Sequence, residues 1–353
     1  MNTIYFEKRL KARVKESSLN KKSMPYRYVF VLTNACNLRC SFCFQEKKPI
    51  KGSLQLNDWA NIASQLPEGS HITLTGGEPL MFRGFKELIS SFRDDITFNV
   101  ITNGLLLDEN ITDYLLDQSG LRVLSCSIDD IGNKGRNVKE QHWARMETNL
   151  QILKNKVKSN GSNMLLDAKT VVLDDNSDDL FEIYKYLVEK LEVDTHSFQI
   201  LKGSPVQHAD IMFPYSDVHN DYEAYEYKKF DKILEQFEKV REYNLKNKRI
   251  SYIHPEWLNL NTNKTIHEQN SSILNLKDHD PKNFKLCKAP WESIHVNVDG
   301  TVFPCLAINM GNVKEQNINS IINGEKFNKF KNDLISNSTF KACNRCGYLK
   351  LKT

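Results

Sequence analysis

An α/β fold, built as an open partial barrel of six βα units, is predicted by three observations. Six short runs rich in β-branched and aromatic residues are separated by stretches with helical spacing. The runs are almost continuously apolar, as strands covered on both faces are. The polar motifs fall just after the runs, at the strand ends where parallel α/β folds place their chemistry. Six units are too few for an eight-fold barrel, so the reading is a partial (β/α)6 TIM-like barrel; a doubly wound open sheet is the other arrangement of the same elements.

The units follow in order. Residues 1–25 form a polar arm with a helical turn or two. RYVFVLT (27–33) is the first strand, and the helix LNDWANIASQL (56–66) opens on Asn57 as its cap. HITLT (71–75) and the helix FKELISSF (85–92) come next. TFNVIT (97–102) ends at Asn103-Gly104 and leads to ENITDYLLDQ (109–118). LRVLSCSI (121–128) precedes the helix 142–157, MLLDAKTVV (164–172) the helix 179–191, and THSFQIL (195–201) is the sixth strand. Residues 203–286 break this rhythm. They hold one long helix (222–244) and an Asn-rich stretch, a surface excursion or a substrate-binding segment. The last part, 287–353, has short β-like runs, an Asp299-Gly300 turn and a helix near 325–334.

Composition narrows the function. The 353 residues carry 48 basic and 44 acidic side chains, a net +4, without the basic stripe that nucleic acid demands. No apolar run is long enough to span a membrane, and the basic, polar start has no signal core. A cytoplasmic protein is expected, and its eight cysteines then point to metal ligation or redox chemistry rather than disulfides. Cys126 stands alone in a strand and reads as core.

The other seven fall into two sets. Cys36, Cys40 and Cys43 lie in TNACNLRCSFCFQ with Cys-x3-Cys-x2-Cys spacing. Three thiolates suit three corners of an iron–sulfur cubane and leave one iron open; zinc is the competing ligand, although structural zinc takes four protein ligands. TGGEP (75–79) follows the second strand, with two glycines for close backbone approach and a carboxylate on Glu78. Cys287, Cys305, Cys343 and Cys346 make a four-thiol set that fits zinc or a fully ligated cubane equally well by spacing.

CNLRCSFC, with Phe42 before its last cysteine, and TGGEP one βα unit later resemble the radical S-adenosylmethionine (SAM) superfamily over about residues 26–202. The resemblance implies a [4Fe–4S] cluster on Cys36, Cys40 and Cys43 whose open iron binds SAM. It implies reductive cleavage to a 5′-deoxyadenosyl radical that abstracts a substrate hydrogen, and a flavodoxin- or ferredoxin-type electron donor. It assigns Gly76, Gly77 and Glu78 to the methionine amino group, Asn103 of ITNG to ribose or carboxylate contacts, Ser127 and Asp129 of SIDD to ribose or sulfonium-side contacts, and Arg136 to the methionine carboxylate. The family has glycine where Asp130 stands, which alters that turn. Lys169 is a further residue that can face the barrel mouth.

CKAPWESIHVNVDGTVFPC has 12 residues between Cys287 and Gly300 and four between Gly300 and Cys305, and is similar to the SPASM/Twitch auxiliary-cluster domain. The four cysteines match the shorter Twitch form, implying one auxiliary [4Fe–4S] cluster on Cys287, Cys305, Cys343 and Cys346, two clusters in all. The resulting division is an arm (1–25), a barrel (26–202), a connecting segment (203–286) and an auxiliary domain (287–353). The expected reaction is hydrogen abstraction and oxidation of a small polar molecule such as a sugar, aminocyclitol or nucleotide, with the auxiliary cluster as electron acceptor; modification of a peptide or protein is the alternative. The two-cluster molybdopterin-precursor cyclase has three C-terminal cysteines where this chain has four. No catalytic base is readable among His196, His208, Asp210, His254, Glu256 and His267.

Overall fold

The computed structural model describes residues 24–45, 50–208, 210–255 and 280–352. The arm's helical turns, the Asn-rich stretch, Glu256 and His267 lie outside them.

Six parallel strands follow in sequence order: β1 (Arg27–Val31), β2 (His71–Thr75), β3 (Thr97–Thr102), β4 (Leu121–Ser127), β5 (Leu165–Val172) and β6 (Thr195–Ile200). Helices α1 (Leu56–Ser64), α2 (Phe85–Ser90), α3 (Glu109–Leu116), α4 (Glu140–Ser159) and α5 (Leu180–Lys185) return the chain between them. One face of each strand is sealed: Leu74, Leu124, Leu166, Ala168 and Phe198 are wholly buried, and Trp59 of α1 stacks 4.9 Å from Phe30. Full burial of such a leucine or phenylalanine stabilises by about 1.5–3 kcal/mol.

The sheet does not stop at six. β7 (Ser251–His254), inside the stretch read as irregular, pairs parallel with β6. β8 (Ser293–Val296) pairs parallel with the other edge of β1, matching Arg27 with Ser293 and Val29 with His295. β9 (Thr301–Phe303) and β10 (Gly311–Asn312) complete one ten-stranded sheet, ordered β10-β9-β8-β1-β2-β3-β4-β5-β6-β7. Gly300 turns the β8–β9 hairpin with φ +89°, donating from its N–H to the Asn297 carbonyl at 2.9 Å.

Two helix starts differ from the sequence reading. α1 is capped at Gln55 rather than Asn57, because the Asp58 carboxylate reaches back to the Gln55 N–H at 2.8 Å. The long helix expected from 222 begins later, as α6 (Phe230–Asn247). Residues before it are held by tertiary bonds instead: Asp174 accepts from the Tyr225 hydroxyl (2.6 Å) and the Lys228 and Lys229 N–H groups. After β10 come α7 (Ile318–Ile322) and α8 (Glu325–Asn337). Among the described residues no helix is long and apolar enough to cross a membrane.

Candidate active site

The first cysteine loop leaves β1 and passes directly under the TGGEP turn. Gly77 donates to the Thr33 carbonyl at 2.6 Å and Glu78 to the Ala35 carbonyl at 2.8 Å. A Cβ on Gly77 would stand 2.7 Å from the Ala35 carbonyl carbon, and one on Gly76 3.1 Å from the Thr33 nitrogen. The glycines therefore let this turn close on the cysteine loop itself. Gly77→Ala is expected to displace that loop, lowering stability by about 1–3 kcal/mol and cutting iron uptake there; iron analysis beside a denaturant melt checks both.

Glu78 is wholly buried. Its carboxylate accepts from Thr102 Oγ1 (2.8 Å), the Asn103 N–H (2.8 Å) and the Leu80 N–H (3.1 Å), so it ties the turn to the end of β3. Burial raises its pKa, opposed by these donors. Asn103 continues the chain of contacts: its Nδ2 donates to Asn37 Oδ1 at 2.7 Å and lies 3.9 Å from Cys36 Sγ.

From the other side comes Arg136, in a short turn (Lys134–Arg136) after β4. Its Nη1 lies 3.9 Å from Cys40 Sγ, and its guanidinium sits 5.2 Å from the Phe42 ring centre. Arg136 is not free to meet a ligand with its whole fork. Nε and Nη2 grip both Asp129 oxygens, at 2.6 and 3.1 Å, and Asp129 also accepts from the Val171 N–H at 2.7 Å. The two residues expected to meet different parts of one cofactor form a buried pair, with the remaining donor of Arg136 turned toward the cysteines.

The SIDD turn is organised by two residues that the sequence reading missed. Asn133, wholly buried at φ +51°, accepts from the Asp129 N–H and donates to the Ser127 carbonyl; Asn176 donates to the Asp129 carbonyl at 2.8 Å. The signal for the first was an asparagine beside glycine, a residue that tolerates left-handed backbone. Asp130, in place of glycine, accepts from the Lys134 and Gly135 N–H groups at 2.7 and 2.8 Å. Lys169 sits beside Ser127 in the β4–β5 register, pairs with Asp167 at 3.1 Å and keeps a side chain 41% exposed. Buried Cys126 is a core residue.

Of the four later cysteines, Cys287 precedes β8, Cys305 follows β9, and Cys343 and Cys346 lie near the end of the described chain. Cys343 is buried, and Cys287, Cys305 and Cys346 are half-buried. The thiols act on one another electrostatically: Cys305 feels Cys287, Cys343 and Cys346. Burial pushes Cys287 up to about 12 and Cys305 and Cys343 well above the usual thiol range. Against that, amide hydrogen bonds from Ala289, Leu306, Phe340 and Tyr348 bear on Cys287, Cys305, Cys343 and Cys346 respectively. Donors at every sulfur favour thiolate, so the set fits a cationic metal centre that takes the place of the protons. Among the described residues no three cysteine, histidine or acidic side chains close around a single ion.

Residues 203–208 and 210–213, placed in the connecting segment, lie against this region. Gln207 bridges Leu306 and Phe213 bridges Ile308. Arg345, between the last two cysteines, is buried and bonded to the Tyr225 carbonyl, with its guanidinium 5.5 Å from the Tyr227 ring centre. Of the polar candidates in or near that segment, His196 is a core residue, bonded to Thr170 (2.9 Å) and Ser251 (3.1 Å) and pulled down to about 3 by burial. His208 pairs with His295 at 3.1 Å; Asp210 is buried, its carbonyl accepting from Asn297.

A parallel sheet with a three-cysteine loop and a glycine-rich turn at its mouth, followed by a four-cysteine region, is the arrangement that the sequence resemblance implies. Comparison with known proteins agrees. The radical SAM superfamily matches residues 30–187, and the SPASM iron–sulfur cluster-binding domain matches residues 287–347. This chain belongs to the radical SAM superfamily of enzymes and carries a SPASM-type C-terminal domain, which supports SAM and iron–sulfur clusters as its cofactors. Among its relatives, the sporulation killing factor maturation protein SkfB of Bacillus subtilis is 38% identical over 117 residues, 31% of this chain and 28% of that one. A GTP 3′,8-cyclase of Campylobacter jejuni is 26% identical over 191 residues, 49% of this chain and 58% of that one. The chain thus spans less than two-thirds of either relative. Streptococcus suis SuiB, in a structure with its precursor peptide SuiA, shares the fold at TM-score 0.62 and 14% identity, covering 98% of this chain and 76% of that one. The AdoMet-bound anSMEcpe does so at TM-score 0.58 and 17% identity, covering 87% and 82%.

Proposed function

We propose that Cys36, Cys40 and Cys43 hold a [4Fe–4S] cluster with one iron open to SAM, and that Cys287, Cys305, Cys343 and Cys346 hold one auxiliary [4Fe–4S] cluster. The observation that supports this is the grouping of seven cysteines into two sets, with donors directed at the sulfurs of both. A cluster held there would supply the electron for reductive cleavage of SAM and so for hydrogen abstraction from substrate. The chain's own part is positional. The backbone of Gly76 and Gly77 frames the loop. Glu78 fixes that turn to β3. Asn103, Ser127 and the Asp129–Arg136 pair line the cofactor's side, and Phe42 shields the guanidinium. A cubane held by all four thiols would have no iron open, which suits an acceptor for the electron left on an oxidised substrate. Residues 26–202 form the barrel unit and 287–353 the auxiliary unit, with 203–286 connecting them. A reducing cytoplasm suits both thiolate sets, and a flavodoxin- or ferredoxin-type protein is the expected donor.

For the substrate, the 38% identity to a killing factor maturation protein, over 31% of this chain, supports a peptide or protein. The second reading, a small polar molecule, draws on polar side chains along the strand face opposite the core: Asp167, Lys169 and Ser197 lie together there. The anaerobic enzyme with dithionite and SAM is expected to form 5′-deoxyadenosine. If a short precursor peptide is encoded beside the gene, that formation should rise with it, and the peptide should lose 2 Da by mass spectrometry. Stimulation by sugars or nucleotides instead, with no change in any peptide, would overturn the peptide reading.

A further inference from the structure

Lys202, two residues beyond β6, lies at the seam between the two cysteine sets. Its Nζ stands 4.0 Å from the ring centre of Phe44, the residue after Cys43, and donates to the Gln207 carbonyl at 3.1 Å. Gln207 in turn donates from Nε2 to the carbonyls of Ala342 and Asn344, at 2.7 Å each, on either side of Cys343. His208 N–H donates to the Cys305 carbonyl at 3.2 Å, and Gly203 packs so tightly on Asn344 that a Cβ would stand 2.7 Å from its carbonyl oxygen. One short segment therefore touches the loops of both sets, and its cation is placed between them. Burial works against the ammonium, drawing it down to about 7 even with Cys346 and Cys43 acting to keep it charged.

We propose that Lys202 is a positioning residue shared by the two clusters: its ammonium favours the more negative, reduced state of each, while the Lys202–Gln207 strut holds their loops in register. The inference rests on the two-cluster reading above. A cation beside a low-dielectric site stabilises added negative charge, and nearby charge and hydrogen bonding set cluster potentials. Neither cysteine motif contains this residue.

The test is an EPR-monitored redox titration of the anaerobically reconstituted full chain, with iron analysis alongside. Dithionite supplies one electron per cluster and is itself oxidised. Lys202→Met is expected to keep its iron but to show, at fixed potential, a reduced-to-oxidised ratio about tenfold lower for both clusters, equivalent to about 59 mV for one electron. Lys202→Arg should restore the ratio to within about threefold of wild type. An unchanged ratio in an iron-replete Lys202→Met protein overturns the proposal. If Lys202→Met loses iron, Lys202→Gln, which keeps a donor for the Gln207 carbonyl without the charge, is titrated instead, and the same two results decide. Failure of the two-cluster reading shows separately, as a wild type with half the expected iron and one signal.

Discussion

Replacing Cys36, Cys40 and Cys43 together by alanine is expected to remove about half of the iron, from about eight to about four per chain, and all 5′-deoxyadenosine formation. The fold should survive. The three side chains are half-buried on a loop whose packing residues, Leu32 and Leu38, stay in place, and no strand ends on a thiol. The second set keeps its own amide donors, and nothing in it contacts the first loop except through Lys202 and Gln207 among the bonds described above. Iron and sulfide analysis, with chromatography of the SAM products, reads both effects. Full iron retention in the triple variant would refute the assignment of the first set.

Asp129→Ala is expected to destabilise the protein by about 3–5 kcal/mol. The substitution leaves the Arg136 guanidinium, whose side chain is only 12% exposed, without its carboxylate ion pair and the hydrogen bond from Nη2, and deprives the Val171 N–H of its acceptor. Removing both charges, with Asp129→Ala and Arg136→Met, should recover part of the loss, because no unpaired ion then remains buried. Urea melts of the metal-free single and double variants measure this directly. A double variant as unstable as the sum of the singles would show that the pair's own attraction is not what the site depends on.

The six strands and the positions of the motifs were legible because each strand is a local run bounded by turn residues. The cysteine sets were legible because thiol spacing is itself chemical information. What could not be read is how motifs meet. Nothing local says that Glu78 is occupied by Thr102 and Asn103, or that Asp129 and Arg136 take each other as partners. The 222–229 stretch has helical composition, but Asp174, some fifty residues earlier, captures the N–H groups that a helix would use. β7 was missed because Ser251–His254 is four residues long, between basic residues and a proline. The Lys202–Gln207 strut carries no motif, since its partners are mostly main-chain carbonyls that any sequence supplies.

The parallel pairing of β8 along β1 bears on how the polypeptide is born. Arg27 leaves the ribosome long before its neighbour Ser293, and at ordinary elongation rates the interval is on the order of tens of seconds. For that time the nascent barrel shows one bare row of amides and carbonyls, the kind of rim that recruits other strands. Truncations ending before Ser293 would keep that rim open for good, and such fragments should clump rather than stay monomeric.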